Sequence, residues 1–461
     1  MSQSKTSHQR RAGIAYLLAL VLLVVFAAVG LALSAAANLS LQTSNNYDNA
    51  ATARLQAEGG MSYMLYELKA LRLPGTTTQA TFPANLLGVL ALRMDPMPNL
   101  NGQHTHISGS YVVVPGIGTE DGHFTSKFNW VAANRGRLTV QGTARDVSRR
   151  VSVELVFTPK RPAVFDYGLA SKGQINIGGH ARILGVNNPG EASVLSATQN
   201  HSDAISLSGN ITVSGDLYAA GSSTYVAMTG TPSVAGSTDP TVIAEHVHLG
   251  VDPPDFPETN TAPLAALANG DVITTDKPSQ STFTNVRIAA GTNPTFGGDV
   301  TFNGIVYIEA PNKVKFSGQT TINGLIVTQN SGCSLDSCQI SFTGGVTANG
   351  VGVLPNTSQF ADVKQQTGTF ICAPGFALSF SGNFGAVNGS IAADQLTFAG
   401  TAEGTVEGSV IGLKDVPTSL NGNVDINVDR SKSNENPAGF VKSVALVPEA
   451  DSYLELTGIE P

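Results

Sequence analysis

Charged residues are scarce in this 461-residue chain, where Asp, Glu, Lys and Arg make up 13%, about half the share usual for soluble globular proteins. The formal net charge of −8 excludes nucleic acid as an expected partner, because such binding needs an excess of clustered Lys and Arg. Three Cys and one Trp exclude a disulfide-rich scaffold. What the chain does contain is 49 Gly among many Val, Ile, Thr and Ser, which indicates repetitive β-structure.

One long apolar run lies near the N-terminus. Residues 1–13 are basic and contain no acidic residue, and no charge occurs from Ala12 to Leu33. As a helix this run spans about 33 Å at ~1.5 Å per residue, enough to cross the ~30 Å hydrocarbon core of a membrane. The run exceeds the ~7–15 apolar residues of a cleaved signal peptide. Because the basic residues precede it, we expect a single span with a cytoplasmic N-terminus.

The helix is predicted to continue to residue 72. Ser34 to Leu71 contains no Pro, and small or apolar residues recur there at helical spacing. The segment follows Arg-Arg-Ala-Gly at 10–13 and is apolar in its first half and amphipathic in its second. It therefore resembles the N-terminal module of type IV pilins and type II secretion pseudopilins. That resemblance implies a leader over 1–13 that is cut after Gly13, and a membrane span from Ile14, the mature and methylatable N-terminus, to Leu33.

One position departs from the major pilins. Those proteins carry a Glu at the fifth mature position, where this chain has Leu18. Minor pilins and pseudopilins at a fibre tip commonly lack that carboxylate, so the segment is most similar to the minor class. A plain, uncleaved membrane anchor is the alternative. The resemblance implies other pilin-like subunits and membrane lipid as partners of the helix, and an inner-membrane location with the body in the periplasm or outside the cell.

Residues 73–160 change from a helical to an alternating pattern. Tyr111–Val114, His123–Ala132, Arg137–Ala144 and Arg149–Thr158 are predicted strands, separated by polar or Gly turns. In the last of them alternate residues fall on opposite faces. A small antiparallel sheet after a long helix is the pilin-like arrangement that the N-terminal resemblance implies.

From residue 161 to 461 a spacing recurs in which an apolar residue is followed two positions later by Gly, and six positions after that by another Gly. We expect a parallel β-helix, in the commoner right-handed form, with Gly at corners where φ is positive and neighbouring coils lie close. A Pro-rich and then Ala/Leu-rich insertion is predicted near 250–285. The five copies of this glycine repeat begin at Ile177, Leu207, Phe296, Phe316 and Phe342.

The C-terminal region resembles β-helical domains of uncharacterised bacterial envelope proteins and, more distantly, bactofilins. The predicted fold class is thus mainly β, with a long N-terminal helix, a pilin-like antiparallel sheet and a solenoid. By these resemblances the chain is expected to be a structural, pilin-like subunit that displays a β-helix and requires no cofactor. A static membrane-anchored envelope scaffold or adhesin is the alternative, and the partner expected of the β-helix is surface polysaccharide or another cell.

Few residues suggest site chemistry. His246 and His248 would share one face of a strand, a spacing known from zinc sites, with Asp252 and Asp255 nearby. Because no third ligand is placed, we interpret them as exposed histidines and predict no metal. Cys333 and Cys338 could close a disulfide, which an exported compartment permits.

A carbohydrate-active enzyme is the further alternative, because pectin-degrading enzymes share the β-helical fold. Such catalysis needs acidic residues clustered on one face. The acids in this chain are scattered singly, so we expect no catalytic activity. The nearest approach to a cluster is Asp425 and Asp429 with Arg430; the scattered acids are Asp299, Glu309, Asp336, Asp394, Glu403 and Glu407.

Overall fold

The computed structural model describes residues 6–120, 122–221, 223–431 and 437–456, with side chains from Tyr16 onward. The chain divides into two compact units. One contains Met1–Pro159 and Val444–Pro461, and the other contains Lys160–Ser443. A long N-terminal helix, an antiparallel sheet and a large parallel sheet confirm the predicted mainly-β fold class.

The first unit begins with helix α1, Thr6–Ala70. Its C-terminal part packs on the antiparallel sheet through buried residues three or four positions apart, as expected of an amphipathic helix. Gly60 allows close packing, because a Cβ there would lie 2.5 Å from Cγ of Phe124. Gly142 of the sheet also lies directly against the helix backbone. The buried helix residues are Ala53, Ala57, Met61, Met64 and Leu68.

A second helix follows that the alternating pattern did not predict. Helix α2, Phe82–Met94, buries residues at a regular four-residue spacing. The Phe82 ring stacks on Phe157 at 5.5 Å and meets Trp130 edge-on at 5.7 Å. The strands around this helix are β1 (Leu73–Pro74), β2 (His106–Ser108), β3 (Tyr111–Gly118), β4 (His123–Ala132), β5 (Arg135–Ala144) and β6 (Val147–Pro159).

The second unit is a parallel solenoid built from short strands. Its first section precedes a connecting segment and contains the short helix α3, Pro240–Glu245. The strands of this section are β7 (Leu169–Ser171), β8 (Ile175–Gly179), β9 (Arg182–Gly185), β10 (Val194–Ser196), β11 (Asp203–Gly209), β12 (Thr212–Val213), β13 (Leu217–Ala220), β14 (Tyr225–Gly230), β15 (Ser233–Val234) and β16 (Val247–Val251).

The second section follows helix α4, Ala262–Ala265. Short 3-10 turns occur at Pro98–Leu100 in the first unit and, in the second, at Ala163–Asp166, Pro189–Ala192, Val351–Val353, Ser358–Phe360 and Val363–Gln365. The strands are β17 (Val272–Ile273), β18 (Thr282–Ile288), β19 (Thr295–Phe296), β20 (Val300–Ile308), β21 (Lys313–Phe316), β22 (Thr320–Thr328), β23 (Gln339–Phe342), β24 (Val346–Ala348), β25 (Thr369–Phe380), β26 (Gly385–Asn388), β27 (Ser390–Gly400), β28 (Glu403–Glu407), β29 (Val410–Gly412), β30 (Thr418–Gly422) and β31 (Asp425–Val428).

The two sections stack in an order that differs from the chain order. The last coil, β29 to β31, pairs in parallel with the first coil, β7 to β9. The parallel pairings from coil to coil form one ladder. It begins at β17 and β18, continues to β29, passes from β29 to β7, and ends at β16. The connecting segment, which ends before Val272, carries the chain from one end of this ladder to the other. The predicted insertion near 250–285 was too long, because β17 and part of β18 belong to the ladder.

Aromatic and glycine ladders occupy the positions that the repeat predicted. Phe316 stacks between Phe296, at 5.2 Å, and Phe342, at 4.6 Å, with nearly parallel rings. In another coil, at the corner that follows Leu207, Gly209 has a φ of +116°, and a Cβ there would overlap the carbonyl oxygen of Gly179 in the neighbouring coil. An L-residue fits poorly at such a corner, which is why the spacing of the repeat is visible in the sequence.

The chain then returns to the first unit. Strands β32 (Ser443–Pro448) and β33 (Leu454–Leu456) pair antiparallel with β6, and the main order of this eight-stranded sheet is β1-β32-β6-β5-β4-β3-β2. The predicted boundary of the solenoid at residue 461 was therefore wrong. Alternating strands this short carry no signal of which sheet they join, so residues 444–456 were assigned to the preceding domain.

Candidate functional site

The N-terminal part of α1 exposes a continuous apolar surface. From Tyr16, 81% exposed, to Leu41, 62% exposed, its large side chains are uncovered. Its most apolar 18-residue window has a mean hydropathy of 2.9, and none of that window is buried. Exposed apolar area costs roughly 25 cal/mol per Å² in water. By length and composition this helix can cross a membrane, and in the described residues it is the one helix that can.

The predicted processing and span residues all lie on this helix. Gly13 and Ile14 belong to the backbone of α1, while their side chains are outside the described residues, as are residues 1–5. Leu18 is 61% exposed and Leu33 is 67% exposed. The helix begins at Thr6, so the described part of the predicted leader continues directly into the span.

His246 and His248 both contact Asp216, a residue that the sequence analysis did not single out. His246 Nδ1 lies 2.8 Å from Oδ1 of Asp216, and His248 Nε2 lies 3.1 Å from Oδ2. An ionised carboxylate only accepts hydrogen bonds, so each imidazole donates an N–H to it. His246 caps the C-terminal end of α3, and His248 is aligned with Tyr218 on the neighbouring coil. Asp216 lies 30 residues before His246, and only the solenoid stacking brings them together.

The electrostatics of this cluster follow from its contacts. Partial burial raises the pKa of Asp216, but the hydrogen bonds from His248 and His246 outweigh it and hold that pKa below its usual value. The His248 ring also stacks on Tyr218 at 4.6 Å. Asp252 and Asp255, the predicted neighbours, are exposed and take no part. In the described parts of the chain no three His, Cys, Asp or Glu side chains form a group that could hold a metal ion.

The three cysteines have different environments. Cys333 and Cys338 are joined in a disulfide that closes a six-residue loop before β23. Cys372 is a free, fully buried thiol. Burial raises the pKa of Cys372 far above its usual value, and the nearby Asp394 adds to the rise. A thiol held protonated in this way is not a nucleophile.

Several of the scattered acidic residues have a local partner. Asp425 pairs with Arg182 at 3.3 Å, Glu309 with Arg287 at 3.2 Å, and Asp394 with Lys414 at 2.6 Å. Asp429 accepts a hydrogen bond from Asn187, and Arg430 donates to the carbonyl oxygen of Asp166. These pairs join neighbouring coils or adjacent turns of the solenoid. In the three ion pairs the opposite charges neutralise each other.

No family model and no curated protein matches this chain. Among solved structures, the match includes the crystal structure of the competence-associated pilin ComZ from Thermus thermophilus. It is 12% identical, covers 88% of this chain and 97% of its own, and has a TM-score of 0.25.

Proposed function

We propose that this chain is a structural, minor-pilin-like or pseudopilin-like subunit of a type IV pilus or type II secretion-type apparatus. The observation that supports this proposal is the change of surroundings along α1. The helix is apolar and uncovered over 16–41, and its buried residues pack on an antiparallel sheet over 53–68. The first of these segments can anchor the helix in a membrane, and the second docks it on the sheet. Such a continuous helix suits a subunit that is inserted in a membrane and can pack beside other subunits.

In this proposal the helix first resides in the inner membrane, with its N-terminus in the cytoplasm. Its apolar surface then packs against the helices of other pilin-like subunits, which cover the area otherwise exposed to water. Leu18 provides no carboxylate for a neighbouring N-terminal amine, which favours a tip or low-copy position over the shaft.

The solenoid is the displayed part of the subunit, and we assign it a structural or adhesive role without catalysis. The chain leaves the first unit at Pro159 and returns at Val444, where β6 and β32 are hydrogen-bonded neighbours. The solenoid is thus a large domain inserted between two paired strands, and α1 takes no part in this chain connection. This arrangement suits display on a fibre or at the cell surface.

Processing of the N-terminus tests the proposal. The intact mass and the first residue are measured for the full chain purified from its own membranes. A mature chain that begins at Ile14, methylated or not, supports a pilin-like subunit. A chain that retains Met1 or Ser2 instead indicates a static membrane-anchored scaffold, and cleavage near Ala35 indicates secretion.

Two glycine variants sharpen this experiment. Gly13→Val changes the residue before the expected cut and should leave the leader attached. Gly30→Val is the matched control, because Gly30 lies on the same helix with open space around it, and its processing should equal that of the unaltered chain. Loss of processing in both variants would indicate impaired membrane insertion and would contradict a specific cut after Gly13.

A further inference from the structure

A shallow notch lies on the outer surface of the solenoid, where β30, β8 and β11 run side by side. It has a volume of about 160 Å³ and is lined by two Asn and three Ser residues, together with Ile177, Gly178 and Leu420. The pairing register places Ser419 beside Asn176 and then Ser206, and it places Asn421 beside Gly178 and then Ser208. Two rows of short polar groups thus cross three neighbouring coils.

The notch exists because Gly178 has no side chain. A Cβ at this position would lie 3.1 Å from Oδ1 of Asn421 and 3.4 Å from Oγ of Ser208, so a larger side chain would fill the space. The following residue, Gly179, has a φ of +80°, whereas Gly178 is outside that left-handed region. The corner of the coil therefore requires Gly179, but the backbone does not require a glycine at 178.

The polar groups of the notch are available to a ligand, and one of them is held in position. Asp203 accepts a 2.6 Å hydrogen bond from Nε2 of Gln174, and Gln174 Oε1 accepts one of 3.2 Å from Nδ2 of Asn176. This chain leaves Oδ1 of Asn176 as a fixed acceptor beside the notch. Across the described parts of the protein, no hydrogen-bond partner engages the side chains of Ser206, Ser208, Ser419 or Asn421.

The chemistry of the lining selects a class of ligand. None of the described residues that line the notch is charged, whereas anions are bound by Arg, Lys or helix N-termini. No aromatic side chain lines it either, so an apolar ligand would find little contact area. Neighbouring strands lie ~4.8 Å apart and alternate residues ~6.7 Å apart. Donors and acceptors at these spacings suit a ring that carries several hydroxyl groups.

We propose that this notch binds neutral, hydroxyl-rich sugar units of a surface polysaccharide. The amides of Asn176 and Asn421 and the three serine hydroxyls each donate or accept to sugar hydroxyls, and Gly178 provides the depth for the ring. The proposal does not depend on how the N-terminus is processed. Sugar binding can therefore fail while the pilin-like role stands, and the pilin-like role can fail while sugar binding stands.

Saturation-transfer NMR on the full chain tests the proposal, with the protein kept in a zwitterionic detergent that has no sugar headgroup. The probes are cellobiose and diacetylchitobiose, with digalacturonate as a charged comparison, each at about 10 mM because single-site sugar contacts are weak. We expect saturation transfer to at least one neutral disaccharide and at least tenfold weaker binding of digalacturonate. Absence of transfer to both neutral sugars, or equal binding of the charged one, would overturn the proposal.

A pair of matched variants tests the location. Gly178→Val fills the notch, and Gly297→Val changes the same position of the repeat where only Ser317 Oγ, at 3.8 Å, lies within 4 Å. We expect Gly178→Val to weaken sugar binding at least tenfold and Gly297→Val to leave it within twofold. Asn421→Asp, which keeps the shape and adds a charge, should also weaken it. Unchanged binding in Gly178→Val, with an unaltered circular dichroism spectrum, would overturn the assignment.

Discussion

At the scale of single residues, two adjacent glycines of α1 have opposite surroundings. A Cβ on Gly59 would meet nothing within 4 Å, whereas a Cβ on Gly60 would lie 2.5 Å from Cγ of Phe124 and 2.9 Å from Cγ1 of Val140. Ala is favoured over Gly within a helix by ~1 kcal/mol. Gly59→Ala should therefore raise the free energy of unfolding by up to about 1 kcal/mol, while Gly60→Ala should lower it by about 1–3 kcal/mol through overpacking.

Denaturant unfolding of the two variants checks this expectation, with Phe124 and Val140 unaltered. Each substitution adds one methyl group to the same helical turn, so each variant is the control for the other. Equal stabilisation by both would mean that the helix does not pack closely on the sheet at Gly60.

Asp216 should make the end of the solenoid sensitive to acid. Because its pKa is lowered in the folded protein, its contribution to stability is present above the ordinary Asp pKa of about 3.9 and is lost as pH falls through the folded value. At pH 7 Asp216→Asn should destabilise the fold by about 1–3 kcal/mol, since an amide accepts from only one of the two imidazoles. The difference from the unaltered chain should shrink below about pH 4.

Thermal unfolding between pH 3 and 7 measures this dependence. Asp252→Asn is the control, because Asp252 is exposed and outside the histidine cluster. A pH-independent effect of Asp216→Asn would show that the loss is steric and not due to the charge.

At the scale of elements, the stacked phenylalanines connect successive coils. Phe316 is fully buried between Phe296 and Phe342. Phe316→Ala should cost about 3–5 kcal/mol and Phe316→Leu clearly less, because Leu retains most of the buried volume. In a solenoid each coil contacts only its neighbours, so the damage should remain local.

Hydrogen–deuterium exchange locates that damage. Backbone amides of β20 to β23 should lose protection in Phe316→Ala, while those of β11 to β13 should keep it. Uniform loss of protection across the solenoid would instead mean that it unfolds as one cooperative body.

The elements also show what the sequence could predict. The glycine repeat identified the solenoid because each corner has a local backbone requirement, as at Gly209. Helix α2 was missed although Phe82, Leu86 and Leu90 show its four-residue period, because the strand pattern that follows dominated the interpretation. Asp216 was not predicted as the partner of His246 and His248, because it reaches them only through stacking between coils. The Asn and Ser residues that line the notch around Gly178 form no sequence motif, so the notch was not predicted.

At the scale of the whole molecule, the chain order of the coils constrains folding. The pairing of Val410 with Leu169 joins coils that are far apart in sequence, and long-range pairing of this kind slows folding. The first section is therefore synthesised before its pairing partners β29 to β31, so one strand edge of β7 to β9 is uncovered at that stage. An uncovered strand edge and core end are aggregation hazards until the last coil arrives.

The second unit should nevertheless fold alone. Lys160 N donates to Ser443 O at 2.9 Å, and Ser443 Oγ donates to Lys160 O at 2.6 Å, so its two ends already meet. Residues 160–443 expressed by themselves should fold and resist proteolysis, because all pairing partners of β7 to β31 are present. The fragment 160–251 is the matched test, since it has the first section but lacks β29 to β31. Fragment 160–251 should aggregate or be digested rapidly. If it is stable instead, the first section is an independent domain, and the pairing between β29 and β7 contributes little to its stability.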